Sequence, residues 1–178
     1  MCSSDLFTDR APTAVTYPLT LFQEPLDLPA GAADVVARDA FTLPVPVTVH
    51  SLYPHAHYLA RRMVVTVTPP TANPTELLRI DRWDFDWQDD YALREPLALA
   101  AGTRIAFEYN FDNSADNPQN PAKPPVHVRS GPESTDEMAT LSLQVTVADP
   151  ATRARLGEAA IRADLGKRRQ GRKGQRPA

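Results

Sequence analysis

The sequence predicts an all-β protein, an antiparallel β-sandwich of the jelly-roll kind that ends in a short helix and a basic tail. Short segments rich in Val and Thr alternate apolar and polar side chains, which is typical of strands with one buried face. The chain has 18 Pro and 7 Gly, and proline is tolerated in turns and at sheet edges but not inside helices. Strands do not alternate with helical segments as they do in parallel α/β folds.

The first part of the chain divides into an extension and the start of the sandwich. Residues 1–39 are predicted to be an N-terminal extension or partial strands, with alternating apolar positions over 16–31. The sandwich is predicted to span residues 40–148. Its opening segment, 41–70, is assigned to successive strands that are broken or placed at an edge by its prolines.

The middle of the sandwich is predicted to contain three more strands and a long loop. One strand is assigned within 76–87, although neither of its faces is purely apolar. The structural interpretation of the aromatic run Trp83, Phe85, Trp87 and Tyr91 is sandwich core. A strand pair over 93–111 turns at Ala101–Gly102. Residues 110–125 are too rich in Asn, Asp and Pro for regular structure, and a loop of this length is usually functional or disordered.

The C-terminal part of the sequence changes from strand to helix to tail. Residues 138–147 alternate so that the apolar set beginning with Ala139 faces the core, while Met138 lies on the other face. Asp149 as N-cap and Pro150 in the first turn predict a helix over 149–166. Residues 167–178 have almost no apolar side chains, so we expect a disordered basic tail.

Composition and charge exclude several classes of protein. Hydrophobic residues make up 42% of the chain and charged residues 23%, which is ordinary for a protein that buries a core. No apolar run approaches the ~18 residues of a membrane span, and the first residues lack the pattern of a signal peptide. Cys2 is the single cysteine, so neither an intramolecular disulfide nor a thiolate cluster can form.

The C-terminal segment is basic while the rest of the chain is acidic. Residues 152–178 contain nine Arg or Lys and two acidic residues, a net charge of +7, which leaves −10 for residues 1–151 of a chain with net charge −3. Such asymmetry can indicate an arm that binds nucleic acid or a membrane surface. The segment has no aromatic side chain on which bases could stack. A solvated tail and no nucleic-acid partner are therefore expected.

Three of the four histidines lie close together in the sequence. His55 and His57 would share one face of a strand, with Cα atoms ~6.7 Å apart, and could converge on one metal ion. Such pairs are also common as solvated or hydrogen-bonded histidines. Pro54 makes the face of His50 uncertain, and we assign His50 a structural role. His127 is isolated and is expected at the surface.

Met138 is the most informative candidate for a third ligand. It avoids the core face of its strand, and it could be a boundary residue that fills a gap. It could instead be a thioether ligand. Two imidazoles with a thioether would select copper, because soft sulfur favours Cu(I) over zinc or magnesium.

Four segments together resemble the C-terminal domain of the copper type II, ascorbate-dependent monooxygenases, the family of peptidylglycine α-hydroxylating monooxygenase and dopamine β-monooxygenase. The likeness is closer to the bacterial relatives and covers roughly residues 40–147. The combination of H-x-H-x-L with a downstream D-E-M is more specific than either half. The segments are PHAHYLARRM (54–63), WDFDWQDDY (83–91), AGTRIAFEYNFDNSADNPQNP (101–121) and GPESTDEM (131–138).

The resemblance implies that His55, His57 and Met138 hold the copper at which substrate is hydroxylated. In the family, ascorbate is the reductant, and a second copper on three histidines of another β-sandwich domain supplies the second electron. Residues 1–40 contain no histidine, so a second copper-bearing domain or chain would be needed as partner. The family also implies a small-molecule substrate and an extracytoplasmic, periplasmic or secreted, location.

The substrate-binding positions depart from those of the peptide hydroxylase. That enzyme grips a carboxylate with an Arg before the first ligand histidine and with an Asn and a Tyr after the methionine. The matching positions here hold Tyr53, Thr140 and Ser142, which argues against peptide amidation. We therefore expect part of a copper-dependent monooxygenase, an oxidoreductase that uses O₂. The alternative is a non-catalytic copper-binding or structural β-sandwich.

Overall fold

The computed structural model of the protein describes residues 15–174. It contains ten strands and one helix within these residues. They are β1 (Tyr17–Phe22), β2 (Asp27–Leu28), β3 (Val35–Thr42), β4 (Val47–His55), β5 (Ala60–Thr68), β6 (Thr75–Ile80), β7 (Tyr91–Leu99), β8 (Arg104–Phe111), β9 (Val128–Arg129), β10 (Thr140–Thr146) and α1 (Pro150–Gly174).

The strands form an antiparallel β-sandwich, which confirms the predicted fold class. One four-stranded sheet, here called the front sheet, has the order β1-β10-β4-β7, and the other, the back sheet, has the order β3-β8-β5-β6. The short strands β2 and β9 pair separately. Every paired strand runs antiparallel to its neighbours.

The core lies between the two sheets and is built from alternate positions of each strand. In β8 the side chains of Ile105, Phe107, Tyr109 and Phe111 are all nearly inaccessible. In β10 the set that begins with Ala139 is buried, while Met138 and Thr140 are only half-buried. The predicted core face of β10 is therefore confirmed, because strict alternation leaves one face of a half-buried strand polar.

The strand predicted within 76–87 is shorter than expected. β6 ends at Ile80, because Asp84 starts a turn in which its side chain accepts a hydrogen bond from Asp86 N and its carbonyl accepts one from Trp87 N. Such turns are a common use of aspartate. Trp83 is buried as predicted, but Trp87 is 73% exposed, so the assignment of the whole aromatic run to the core is wrong.

The long polar loop after β8 is ordered by buried asparagines. Asn113 Nδ2 donates to the carbonyl oxygens of Leu28, Pro29 and Val126 at 2.8–3.1 Å. Asn120 Nδ2 in turn donates to Asn113 Oδ1 at 2.9 Å. Because each amide replaces water as the partner of buried polar groups, the loop needs no regular structure to be satisfied.

The helix begins as predicted and ends later than predicted. Asp149 Oδ1 accepts a hydrogen bond from Thr152 N at 2.8 Å, which is the N-cap contact. The helix runs to Gly174 rather than ending near 166, since Arg, Lys and Gln are good helix formers and Lys167 pairs with the Asp39 carboxylate. The predicted disordered tail is thus wrong up to residue 174, and residues 175–178 lie outside the described part.

Candidate metal centre

The two candidate histidine ligands meet where β4 ends. His55 is the last residue of β4, and His57 lies two residues beyond it, outside the strand. Their ring centroids are 5.2 Å apart, with an angle of 76° between the ring planes. Two imidazoles that bind one metal ion at ~2.0–2.1 Å have ring centres about 5 Å apart. The pair therefore has a spacing suited to one shared ion, although the two residues do not occupy one strand.

His57 is buried, and its ring, its backbone carbonyl and its backbone amide all form hydrogen bonds. Its Nδ1 lies 3.0 Å from the carbonyl oxygen of Asp136, and because a carbonyl can only accept, Nδ1 carries the proton. Its own carbonyl oxygen accepts a hydrogen bond from Trp83 Nε1 at 2.9 Å. This arrangement leaves the lone pair on Nε2, the tautomer in which a metal-binding histidine donates its other nitrogen to a protein acceptor.

His55 is held in the same tautomer by a side chain. Its Nδ1 lies 2.7 Å from Gln88 Oε1, and Gln88 Nε2 donates to the carbonyl oxygen of Phe85 at 3.0 Å. The second contact fixes which amide atom faces the imidazole, so Nδ1 donates and Nε2 keeps its lone pair. Burial lowers the pKa of His55, the Gln88 hydrogen bond opposes this and the nearby His57 lowers it further. The neutral, ligating form is favoured.

Met138 lies just before β10, outside the front sheet and close to His57 along the backbone. Thr140 pairs with His55 across β10 and β4, and Met138 lies two residues before Thr140 on the same alternating face. Glu137 Oε2 accepts hydrogen bonds from both His57 N and Met138 N, each at 2.9 Å. The two nitrogens are therefore within 5.8 Å of each other, twice that distance.

Met138 also lines a narrow cleft. Phe22, Ser130 and Glu137 are among the residues that line this cleft with Met138, and neither histidine does. The convergence of the sulfur with both imidazoles stays a prediction. In the structure, the backbone amides of Met138 and His57 are neighbours that donate to the same carboxylate oxygen.

Glu137 connects the two ligand-bearing segments and was not predicted from the sequence. It is completely buried, and its Oε1 accepts a hydrogen bond from Leu59 N at 2.7 Å. Burial raises the pKa of Glu137 to about 7, although hydrogen bonds from the backbone of His57, Leu59, Met138 and Ala60 oppose the rise. A buried acid with this many donors satisfies the requirement that buried polar groups be paired.

The remaining histidines have partners elsewhere. His50 Nε2 lies 3.0 Å from Thr146 Oγ1 on β10, which agrees with a structural role. His127 is exposed, as predicted, and its Nε2 lies 2.6 Å from Asp27 Oδ1. Within residues 15–174 no group of three or more His, Cys, Asp or Glu is arranged to hold a metal ion. The third protein donor predicted for a copper centre here is the thioether of Met138.

Comparison with known proteins adds no relative. No family model matches the chain, and none of the curated proteins matches it significantly. The resemblance to the copper monooxygenases thus depends on the quoted segments, two of which, 83–91 and 131–138, supply hydrogen-bond partners of His55 and His57. The helix in the described residues is too polar to cross a membrane.

Proposed function

We propose that this chain is a copper-binding module similar to the hydroxylating half of ascorbate-dependent monooxygenases, with His55, His57 and Met138 as the ligands. The observation that carries the proposal is the shared tautomer of two imidazoles 5.2 Å apart, each donating from Nδ1 to a fixed acceptor. The donor set of two neutral imidazoles and a thioether fits copper better than zinc or magnesium.

The residues around the histidines would keep the ligands in place and exclude water from one side. Phe85 lies edge-on to His57, with 5.9 Å between ring centroids, and packs against Tyr58 at 4.3 Å. Tyr53 stacks parallel to the His55 ring at 6.4 Å. When bound here, copper would supply one-electron chemistry with dioxygen. The protein side chains would orient the imidazoles and the thioether without moving a proton on either Nδ1.

Residues at the open face support a substrate other than a peptide carboxylate. The strand register pairs Tyr53 with Ser142 and His55 with Thr140, and directly opposed residues share one face of a sheet. A small-molecule substrate that approached His55 would therefore meet a phenol and two hydroxyl groups. None of these three groups is a cation that could bind a carboxylate by charge.

A second copper would have to come from another domain or chain. The 178 residues contain four histidines, and two of them are the proposed ligands. His50 and His127 are too few for a three-histidine site. We therefore propose that an extracytoplasmic partner carries the second copper and that ascorbate reduces both. The alternative is a non-catalytic β-sandwich module that binds copper or has a structural role and hydroxylates no substrate.

The test is the copper affinity of matched single variants. Met138→Ala should weaken Cu(I) binding by about 10-fold or more while Cu(II) binding is partly kept, because a thioether contributes mainly to the softer ion. His55→Ala and His57→Ala should each weaken the binding of both Cu(I) and Cu(II). Competition with a Cu(I) chelator and a Cu(II) titration measure the two affinities, with His127→Ala as the control histidine variant.

Two outcomes would contradict the proposal. Equal Cu(I) affinity of the wild type and Met138→Ala would make Met138 a boundary residue. Equal copper affinity of the wild type, His55→Ala and His57→Ala would show that neither histidine binds the metal. With copper and oxygen present, we expect ascorbate to reduce the copper bound to the isolated chain slowly, without efficient hydroxylation of a substrate. Rapid hydroxylation by the isolated chain would show that the partner is not needed.

A further inference from the structure

Glu137 lies between the segments that carry the proposed ligands, without being a proposed ligand itself. Its oxygens accept hydrogen bonds from His57 N and Leu59 N, 80 and 78 residues earlier in the chain. It also accepts one from Met138 N, its own neighbour. The Glu137 carboxylate is therefore an acceptor shared by the H-x-H-x-L segment and by Met138.

The position of the methionine depends on Glu137 more than the positions of the histidines do. His57 has further contacts through Asp136 O and Trp83 Nε1, and His55 is held by Gln88. Met138 is held by the hydrogen bond from its amide to Glu137 Oε2. Loss of the shared acceptor would thus leave the histidine pair held and remove the acceptor that the Met138 and His57 amides share.

We propose that Glu137 is a positioning residue that holds Met138 in place relative to His57 and so determines whether the thioether reaches the copper. This inference rests on the proposed function. Glutamine has nearly the same shape but turns one acceptor oxygen into an NH₂ donor, which cannot accept the N–H groups that face it. Aspartate keeps both acceptors on a side chain one methylene shorter.

The experiment compares the full-length wild type with Glu137→Gln and Glu137→Asp, loaded with one Cu(I). X-ray absorption at the copper edge reports the copper–sulfur distance shell, and chelator competition reports affinity. Glu133→Gln is the control, because Glu133 is an exposed glutamate in the turn just before Glu137. Circular dichroism, recorded well below each melting temperature, checks that every variant is folded.

We expect Glu137→Gln to lose the copper–sulfur shell, keep the copper–nitrogen shell and bind Cu(I) about 10- to 100-fold more weakly. Glu137→Asp should be intermediate and Glu133→Gln unchanged. A folded Glu137→Gln with the wild-type sulfur shell and affinity would overturn the inference. If that variant does not fold, a folded Glu137→Asp with wild-type values would overturn it. A wild type without any copper–sulfur shell would instead overturn the proposed function, and this inference with it.

Discussion

At the residue scale, the two histidines differ in what holds them. His57 donates to a backbone carbonyl, which a side-chain substitution at Asp136 would leave in place. His55 donates to the side chain of Gln88, which can be removed. The orientation of one proposed ligand, His55, can therefore be tested by mutation without altering any of the proposed ligands.

Gln88→Ala is predicted to weaken copper binding by about 10- to 100-fold, as loss of the acceptor behind a metal-binding histidine commonly does. The reason is that His55 would lose the contact that fixes its ring and its tautomer. Copper affinity from chelator competition measures the effect. Trp87→Ala is the matched control in the same segment, since this side chain is mostly exposed. A Gln88→Ala protein with the affinity of Trp87→Ala would refute the orienting role.

The sequence indicates the ligand types but not the residues that hold them. The H-x-H spacing and the methionine on the polar face of its strand are local patterns, so they can be found by inspection. The partner of Gln88 lies 33 residues away and that of Glu137 lies 80 residues away. No local periodicity reports such contacts, because only the folded chain brings the segments together. The sequence marks Gln88 and Glu137 only by their place within the quoted motifs.

At the element scale, the long loop is stabilised by side-chain amides instead of strands or helices. Asn113 is fully buried and serves three carbonyl groups from two separate segments. Asn117 extends the network by accepting a hydrogen bond from Arg61 on β5 at 2.9 Å. The loop is therefore connected to the strand that follows the histidine pair.

Asn113→Ala is predicted to destabilise the protein by about 2–4 kcal/mol, because buried carbonyl groups would lose their donor. The free energy of unfolding in urea measures the change. Asn73→Ala, at an exposed position in the turn between β5 and β6, is the control and should change the stability by less than about 0.5 kcal/mol. An Asn113→Ala protein as stable as this control would mean that water takes over the role of the amide.

The C-terminal helix is joined to the sandwich near its end as well as near its start. Lys167 pairs with Asp39, whose carboxylate also accepts a hydrogen bond from Phe22 N, and the Lys167 ammonium lies 5.2 Å from the Phe22 ring centroid. Leu156, closer to the start of α1, is buried against the core. The contact at Lys167 was not expected from a segment with so few apolar residues.

Truncation after Leu165 is predicted to lower the melting temperature by roughly 2–4 °C, which corresponds to about 1 kcal/mol for a chain of this size. The reason is that the half-buried pair of Lys167 and Asp39 would be lost. Thermal unfolding followed by circular dichroism measures the shift. Lys167→Ala in the full-length chain should reproduce most of it. An unchanged melting temperature in both proteins would show that the pair adds nothing to stability.

Strand positions were predictable where apolar and polar residues alternate, as in β8 and β10. The end of β6 was not, because the turn after it depends on a side-chain contact of Asp84 rather than on hydrophobic pattern. The end of α1 was missed for a related reason. Its last residues have helix-forming side chains but no apolar face, and composition alone favoured disorder.

At the scale of the whole molecule, the proposed centre lies where β4 ends, with His55 on the outer face of the front sheet and the buried His57 just beyond the strand. The core residues of β4 and β10 occupy the opposite face of the same strands, so metal binding and core packing use alternate positions. Copper should therefore stabilise the fold by ligation alone, without rearranging the core. This gives a prediction for the intact protein.

Cu(I) in 100-fold excess over its dissociation constant is predicted to raise the melting temperature by roughly 5–10 °C, since such an excess adds about 2.7 kcal/mol. Anaerobic thermal unfolding with and without copper measures the shift, and a chelator should reverse it. A protein that carries both His55→Ala and His57→Ala is the control and should show no shift. An equal shift in that protein would place the bound copper elsewhere.

The different exposure of two methionines has a further consequence. Met63 is completely buried, whereas Met138 is half-buried at the outer face, and oxidation of methionine to its sulfoxide follows accessibility. Peroxide would therefore modify Met138 before Met63 and turn a soft sulfur donor into a polar group. The ratio of oxidised to intact peptide at Met138, normalised to Met63, thus reports how much of the proposed thioether donor has been lost.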